Sequence, residues 1–315
     1  MTASVRSYAK VNLTLDVLGK RPDGYHAIES VMQSISLHDT VTLSIGGEPR
    51  IRVTCDRPHI PTGETNLAYR AASLLFESRG VAPALDIRIE KRIPPEAGLG
   101  GGSSNAAAVL RGLNRLLAEK CPKSKAQGSR LAGAETWNSE HGTLDPGLAA
   151  FAAKVGSDVP FFLVGGTALV RGRGEEVRPL TDIQTQWLLL VKPPFGVSSA
   201  WAYRRLDEIG GAEPRSYSKR MLECIENEGC KRLPQLVGND LELPVIERHP
   251  EIGKIKEALL GAGASAALMC GSGSAVFGLF AGEDEAHSAA DHLPRGLGEL
   301  VVAKSISRAE ALGID

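Results

Sequence analysis

The stretch that most constrains this chain is Pro94-Pro95-Glu96-Ala97-Gly98-Leu99-Gly100-Gly101-Gly102-Ser103-Ser104-Asn105, which runs straight into Ala106-Ala107-Ala108-Val109-Leu110. Four glycines in five positions predict neither a strand nor a helix interior, because each costs about 0.5–1 kcal/mol there relative to alanine. They supply backbone that turns with positive φ and lets a ligand come close. Ser103, Ser104 and Asn105 are helix-capping residue types. From Ala106 the apolar residues Val109, Leu110, Leu113, Leu116 and Leu117 keep helical spacing. A glycine loop feeding a helix N-terminus presents free N–H groups and the positive end of the helix dipole, so it suits an anion, and phosphate in particular. A flexible turn before a core helix is the plain alternative. Neither common phosphate motif is present. There is no Gly-Lys-Ser/Thr, and Ser103 stands where a dinucleotide fingerprint needs its third glycine.

Before this loop, Val11, Leu13, Leu15 and Val17 alternate with Lys10, Asn12, Thr14 and Asp16, which predicts a strand with one face on a core. The other face carries Lys10 and Asn12 side by side, and a solvated face is the ordinary reading. Gly19 to Gly24 is turn chemistry that delivers Tyr25 and His26. Short strands are predicted at 41–45, 51–53 and 85–89, with a helix over 66–78 stopped by Gly80. Residues 121–144 have no period and predict a surface insertion; Asp145-Pro146 starts the next helix. Asp158, in Gly156-Ser157-Asp158-Val159-Pro160, is either a helix cap or a working acid/base. A hairpin is predicted over 167–180, and strands at 187–191, 266–269, 275–280 and 300–305. Helices are predicted at 200–206, 250–260 and 283–293. Residues 213–231 show little pattern beyond a short helix near Met221. Strands with two helices on one side predict an α+β sandwich for this second half.

Several motifs resemble one known family. Pro94 to Ala106 is similar to the ATP-phosphate loop of the GHMP small-molecule kinases, and Gly156 to Pro160 to their Gly-x-Asp-Val-Pro element. Gly271-Ser272-Gly273-Ser274-Ala275-Val276-Phe277-Gly278 is similar to their C-terminal glycine loop. The run from Ala9 to His26, with Arg21-Pro22-Asp23-Gly24-Tyr25-His26, resembles the opening of one branch, the kinases of 4-diphosphocytidyl-2-C-methyl-D-erythritol. The resemblance spans about Ala9 to Phe280, with its motifs in the family's order.

The resemblance implies an α+β, two-domain GHMP kinase fold. An N-terminal ATP-binding α/β domain would cover 1–165, and a C-terminal ferredoxin-like α+β sandwich domain 166–315. It implies ATP as co-substrate, with Mg²⁺, and phosphorylation of the 2-hydroxyl of 4-diphosphocytidyl-2-C-methyl-D-erythritol, a step of the methylerythritol phosphate route to isoprenoids. Asp158 is then the base and Lys10 the charge stabiliser. Pro94, Pro95, Glu96, Ala97, Gly98, Leu99, Gly100, Gly101, Gly102, Ser103 and Ser104 hold ATP. Asn12, Tyr25, His26, Tyr203, Gly271, Ser272 and Gly273 hold the acceptor, with Tyr25 and Tyr203 sandwiching the base and His26 reading its edge. Two alternatives remain open: a GHMP kinase for another alcohol such as mevalonate, homoserine or a sugar, and a non-catalytic nucleotide-binding regulator. The aromatic residues argue against the first, and the pairing of Lys10 with Asp158 against the second.

The totals fit a small-molecule enzyme. A net charge of −1 gives no reason to expect nucleic acid or a membrane surface as partner, and aromatics are only 5%. No apolar run approaches the roughly 20 residues of a membrane span, and the N-terminus has no apolar signal region, so a cytoplasmic monomer or homodimer is expected. Cys55, Cys121, Cys224, Cys230 and Cys270 are scattered, which predicts reduced, packed thiols and no resident metal.

Overall fold

The computed structural model describes residues 1–120, 146–211, 215–228, 230 and 232–314. The expected insertion at 121–144 and the Asp145 cap lie outside the described residues.

The chain stacks two sheets between two layers of helices. The larger sheet has eight strands: β1 (Thr2–Asn12), β2 (Thr14–Lys20), β3 (His26–Ile45), β4 (Ile51–Cys55), β5 (Leu85–Glu90), β6 (Thr167–Gly172), β7 (Glu176–Pro179) and the short β9 (Gly238–Asn239). Twenty-residue β3 is its spine, pairing antiparallel with β1, β2, β5 and β6. The smaller sheet is antiparallel, in the order β10 (Ala266–Met269), β11 (Val276–Phe280), β8 (Trp187–Lys192), β12 (Glu299–Lys304).

Four helices cover the outer face of the large sheet: α1 (Leu67–Arg79), α2 (Gly101–Lys120), α3 (Pro146–Val155) and α4 (Val159–Val164). Its inner face carries Ala9, Val11, Leu13, Val31 and Ile35, which meet Leu188, Leu190, Leu268 and Phe277 of the small sheet. The opposite face of the small sheet, with Leu189, Val191 and Val276, packs on α8 (Pro250–Gly261) and α9 (Glu283–His292). Strand β8 is therefore buried on both faces, which is why its sequence is a run of leucines and not an alternation. The helices α5 (Ser199–Glu208), α6 (Tyr217–Glu228), α7 (Glu242–Arg248) and α10 (Arg308–Leu312) complete the fold.

Three expectations need correction. The polar face of the first strand is not solvated, since Lys10, Asn12, Thr14 and Asp16 are all buried. The helix after the glycine loop begins at Gly101, so two of the glycines form its first turn and Ser104 lies inside it. The poorly patterned 213–231 stretch contains the twelve-residue α6, whose Met221, Cys224 and Ile225 join the core between the sheets. In addition, the β6–β7 hairpin pairs with β3, so the first sheet extends past the expected boundary at 165/166.

Candidate active site

A cavity of about 850 Å³ opens between the glycine loop, the β2–β3 turn, α5 and the loop Gly271–Gly273. The glycine loop is wedged in place from three sides. Gly98 has φ of +75°, and a Cβ there would stand 1.9 Å from the carbonyl oxygen of Cys270. Gly100 has φ of +71°, and its Cβ would meet the Phe162 ring at 2.6 Å and Lys10 Cγ at 3.2 Å. No other residue type tolerates both the backbone and the contacts. Ser104 N–H donates to the carbonyl of Gly100 and closes the first turn of α2. The amides of Gly101, Gly102 and Ser103 are then the orphan donors of that helix end, and all three residues line the cavity. That is the geometry of a phosphate site.

Pro94 through Ser103 line the cavity, but Ser104 does not. Its hydroxyl donates to the carbonyl of Tyr8 at 2.6 Å and accepts from Ser7 at 2.7 Å, so it fastens α2 to β1. Beneath the loop the carboxylate of Asp39 accepts from Lys91 Nζ, from the backbone N–H groups of Arg92 and Ile93 at 2.7 and 2.8 Å, and from Asn105 Nδ2 at 2.8 Å. Lys91 also faces the cavity. Neither Asp39 nor Lys91 is among the sequence-derived candidates. Lys91 stands only three residues before Pro94, and that proximity was the available signal; Asp39 comes from a strand whose length the sequence hid.

Lys10 and Asp158, far apart in the chain, meet at this cavity with Nζ 3.8 Å from Oδ2, side chains 5% and 31% exposed. Asp158 stands at the N-cap position of α4, yet its side chain makes no capping hydrogen bond. Lys10 Nζ donates to Asn12 Oδ1 at 2.6 Å, and Asn12 Nδ2 donates to Ser30 at 2.8 Å. The buried lysine is thus held by two acceptors and aimed along the cavity floor. Asn239, which the sequence reading also missed, donates to the carbonyls of Met269 at 3.0 Å and Gly271 at 2.7 Å, fixing the second glycine loop beside Lys10. Ser272 shares a 2.6 Å hydrogen bond with Ser199. Burial first, then the charge of Asp158, pushes the Tyr203 phenol well above its usual range, so it stays neutral. Burial, the largest cause, takes the Cys270 thiol up to about 12 against the charge of Lys10, which makes it a packed and unreactive group.

At the other end of the cavity, Tyr25 is 53% exposed, with the Arg173 guanidinium 5.0 Å from its ring centre. The His26 ring stacks on Tyr203 at 4.9 Å and 21°. Tyr25, His26 and Tyr203 are therefore gathered at one mouth, but Tyr25 and Tyr203 are not stacked on each other, and His26 covers one face of Tyr203. Among the described residues Cys55, Cys224 and Cys270 are free thiols. No helix among them is long and apolar enough to cross a membrane.

A glycine loop at a helix N-terminus, facing a Lys–Asp pair between two stacked sheets, defines the class of protein. The profile for the GHMP kinases N terminal domain matches residues 66–166, and that for the GHMP kinases C terminal domain residues 221–298. GHMP kinases are ATP-dependent phosphotransferases, and the chain is one of them. It is 41% identical over 308 residues to a 4-diphosphocytidyl-2-C-methyl-D-erythritol kinase of Pelotomaculum thermopropionicum, covering 98% of this chain and 99% of the relative. It is 43% identical over 280 residues to the same-named kinase of Geobacillus kaustophilus, covering 89% and 88%. A crystal structure of a 4-(cytidine 5'-diphospho)-2C-methyl-D-erythritol kinase superposes with a TM-score of 0.71 at 33% identity, covering 96% of this chain and 99% of that one. A homoserine kinase from Cytophaga hutchinsonii shares the fold, with a TM-score of 0.67 at 18% identity. The chain belongs to the 4-diphosphocytidyl-2-C-methyl-D-erythritol kinase family.

Proposed function

We propose that the chain transfers the γ-phosphoryl group of ATP to the 2-hydroxyl of 4-diphosphocytidyl-2-C-methyl-D-erythritol, giving the 2-phosphate and ADP, within the methylerythritol phosphate route to isoprenoids. The observation that carries this is the placement of the Lys10–Asp158 pair between the glycine loop and the Tyr25–His26–Tyr203 mouth of the same cavity. A mevalonate, homoserine or sugar acceptor carries no base to stack on such a mouth, and a nucleotide sensor has no use for a carboxylate aimed past a helix it could cap.

Phosphoryl transfer asks mainly for positioning and for compensation of charge. The amides of Gly101, Gly102 and Ser103 and the α2 dipole receive the β- and γ-phosphates. The acceptor oxygen attacks the γ-phosphorus, the bond to the β–γ bridging oxygen breaks, ADP leaves, and the hydroxyl proton passes to Asp158. Lys10 pairs with Asp158 and offsets charge on the moving group. Asn12 orients the lysine and faces the erythritol hydroxyls. Pro94 through Leu99 shape the nucleotide side, and Gly271, Ser272 and Gly273 back the acceptor. The Ser103 hydroxyl, which lines the cavity at the head of α2, would serve Mg²⁺ as a ligand. Mg²⁺ takes few protein ligands and would come with the nucleotide, where it would neutralise phosphate charge. The reduced thiols suit a cytoplasmic enzyme. The cavity is built from one chain, so a monomer or a homodimer serves equally.

The test is ADP release with Mg-ATP against the cytidylyl acceptor, the same alcohol without its cytidylyl group, mevalonate, homoserine and galactose. Turnover is expected with the first alone, and Asp158→Asn should lower kcat by about 10²–10⁴-fold. Turnover of another alcohol discards the acceptor reading, and an active Asp158→Asn discards the base.

A further inference from the structure

His26 is tied to a partner from the opposite half of the molecule. Its Nε2 lies 2.8 Å from Oδ1 of Asp207, while its ring stacks on Tyr203. Tyr203 and Asp207 are four residues apart on α5, so they share one helix face, and both line the cavity. His26 opens β3 in the large sheet, directly after the Arg21–Tyr25 turn. The imidazole is 8% exposed and the carboxylate 37%. The second torsion of a histidine is broad, so stacking alone leaves the ring free to turn over by half a revolution. An ionised carboxylate only accepts, so the contact with Asp207 makes Nε2 the donor, fixes which way the ring faces, and leaves Nδ1 of the neutral ring as an acceptor.

We propose that Asp207 is a positioning residue: by holding the His26 ring against Tyr203 it presets the mouth that receives the base of the acceptor, and so contributes to the choice of a cytidylyl substrate. This rests on the acceptor assignment above. Asp207 itself touches neither ATP nor the hydroxyl that reacts. Its effect falls on acceptor affinity and leaves the chemical step alone. The opposite outcome is also physical. If His26 stacked on Tyr203 merely blocks the face the base needs, freeing it strengthens binding.

Steady-state kinetics on the full chain separate these. Asp207→Ala should raise the KM for 4-diphosphocytidyl-2-C-methyl-D-erythritol roughly tenfold, the weight of one hydrogen bond to a charged group. The KM for ATP should stay within about twofold and kcat within about threefold, because a group that binds ground and transition states alike moves KM alone. Asp207→Glu, which keeps an acceptor of the same charge, should recover most of the loss. Arg205→Ala on the same helix removes exposed pairs with Glu208 and Glu247 and serves as the control, with no change in acceptor KM. An unchanged or lower acceptor KM in Asp207→Ala, or an equal rise for ATP, overturns the proposal. A wild-type chain that does not phosphorylate this acceptor sinks the acceptor assignment first, and the role of Asp207 with it; a wild-type chain that does, with an indifferent Asp207→Ala, sinks the role of Asp207 alone.

Discussion

Asp39 shows how much of this site hangs on single residues outside the chemistry. Its carboxylate is fully buried and accepts from four donors, one of them the ammonium of Lys91. Breaking a buried pair by removing one partner leaves an uncompensated charge and costs about 3–5 kcal/mol. Asp39→Ala should therefore lower the unfolding free energy measured in urea by that amount, and it should loosen the glycine loop. A loss below about 1 kcal/mol would mean that the carboxylate holds little in place. Asp240 makes the opposite case. Burial, its largest influence, raises its pKa above the free value, against a hydrogen bond from the backbone of Val17 and with Asp16 nearby. A carboxyl whose folded pKa is raised costs stability wherever both states are ionised. The cost disappears once pH falls below the free value of about 3.9. Asp240→Asn keeps an acceptor for Val17 and removes the charge, so it should be more stable than the parent at neutral pH and lose that advantage in acid. Equal urea midpoints at neutral pH would refute this. Residue types gave Asp158 two readings, cap or base, and the side chain's failure to cap is a fact of the fold alone. Asp39, Asn239 and Asp207 were invisible for the same reason: a lone polar residue in a strand or on a helix announces nothing until the topology supplies its partners.

At the scale of elements, the site is two glycine loops locked together. The carbonyl of Cys270 occupies the space a Gly98 side chain would need, and the backbone N–H of Ala275 donates to the carbonyl of Ala97 at 3.3 Å. Gly98→Ala would meet backbone, which cannot swing aside, at a positive φ that alanine resists. It should cost about 2 kcal/mol or more and raise the KM for ATP together. A stable variant with unaltered ATP affinity would show the two loops to be independent. Local chemistry made most of the elements legible. The Gly80 stop and the α2 stripe of Val109, Leu110 and Leu113 stand where their residue types put them, while the turn expected from Gly19 starts at Arg21, because Gly19 and Lys20 still pair with β3. Elements buried on both faces were harder. Strand β3 carries Ser30, Gln33 and Asp39 in its interior, each satisfied by a partner from another element, so its period is broken where its burial is complete. The polar side chains of β1 and β2 look solvated in sequence because their partners, such as Ser218 against Thr14 at 2.8 Å, lie some two hundred residues away.

The whole molecule turns these contacts into a clamp. Strands of both sheets meet across one shared core, the ATP loop belongs to the first sheet's helices, and Tyr203, Ser199 and the Gly271 loop belong to the second half. A ligand that fills the cavity therefore touches both halves at once. Binding to the folded state alone stabilises it by about 2.7 kcal/mol at a hundredfold excess over Kd. With an unfolding entropy near 2.1 cal/mol/K per residue, that is a rise in Tm of about 4 °C for a chain of this length. Either Mg-ADP or the cytidylyl acceptor at that excess should shift the whole transition, seen identically by Trp187 and Trp201 of the second half in a Trp137→Phe background and by circular dichroism of the backbone. If the glycine loop's ligand instead moved the backbone signal and left the tryptophan signal where it was, the two halves would be unfolding separately. The cavity would then be a meeting place of two domains rather than part of one cooperative unit. The dense contact of Leu188, Leu190, Leu268 and Phe277 with the large sheet argues for the single transition, because separating the halves exposes that apolar face to water.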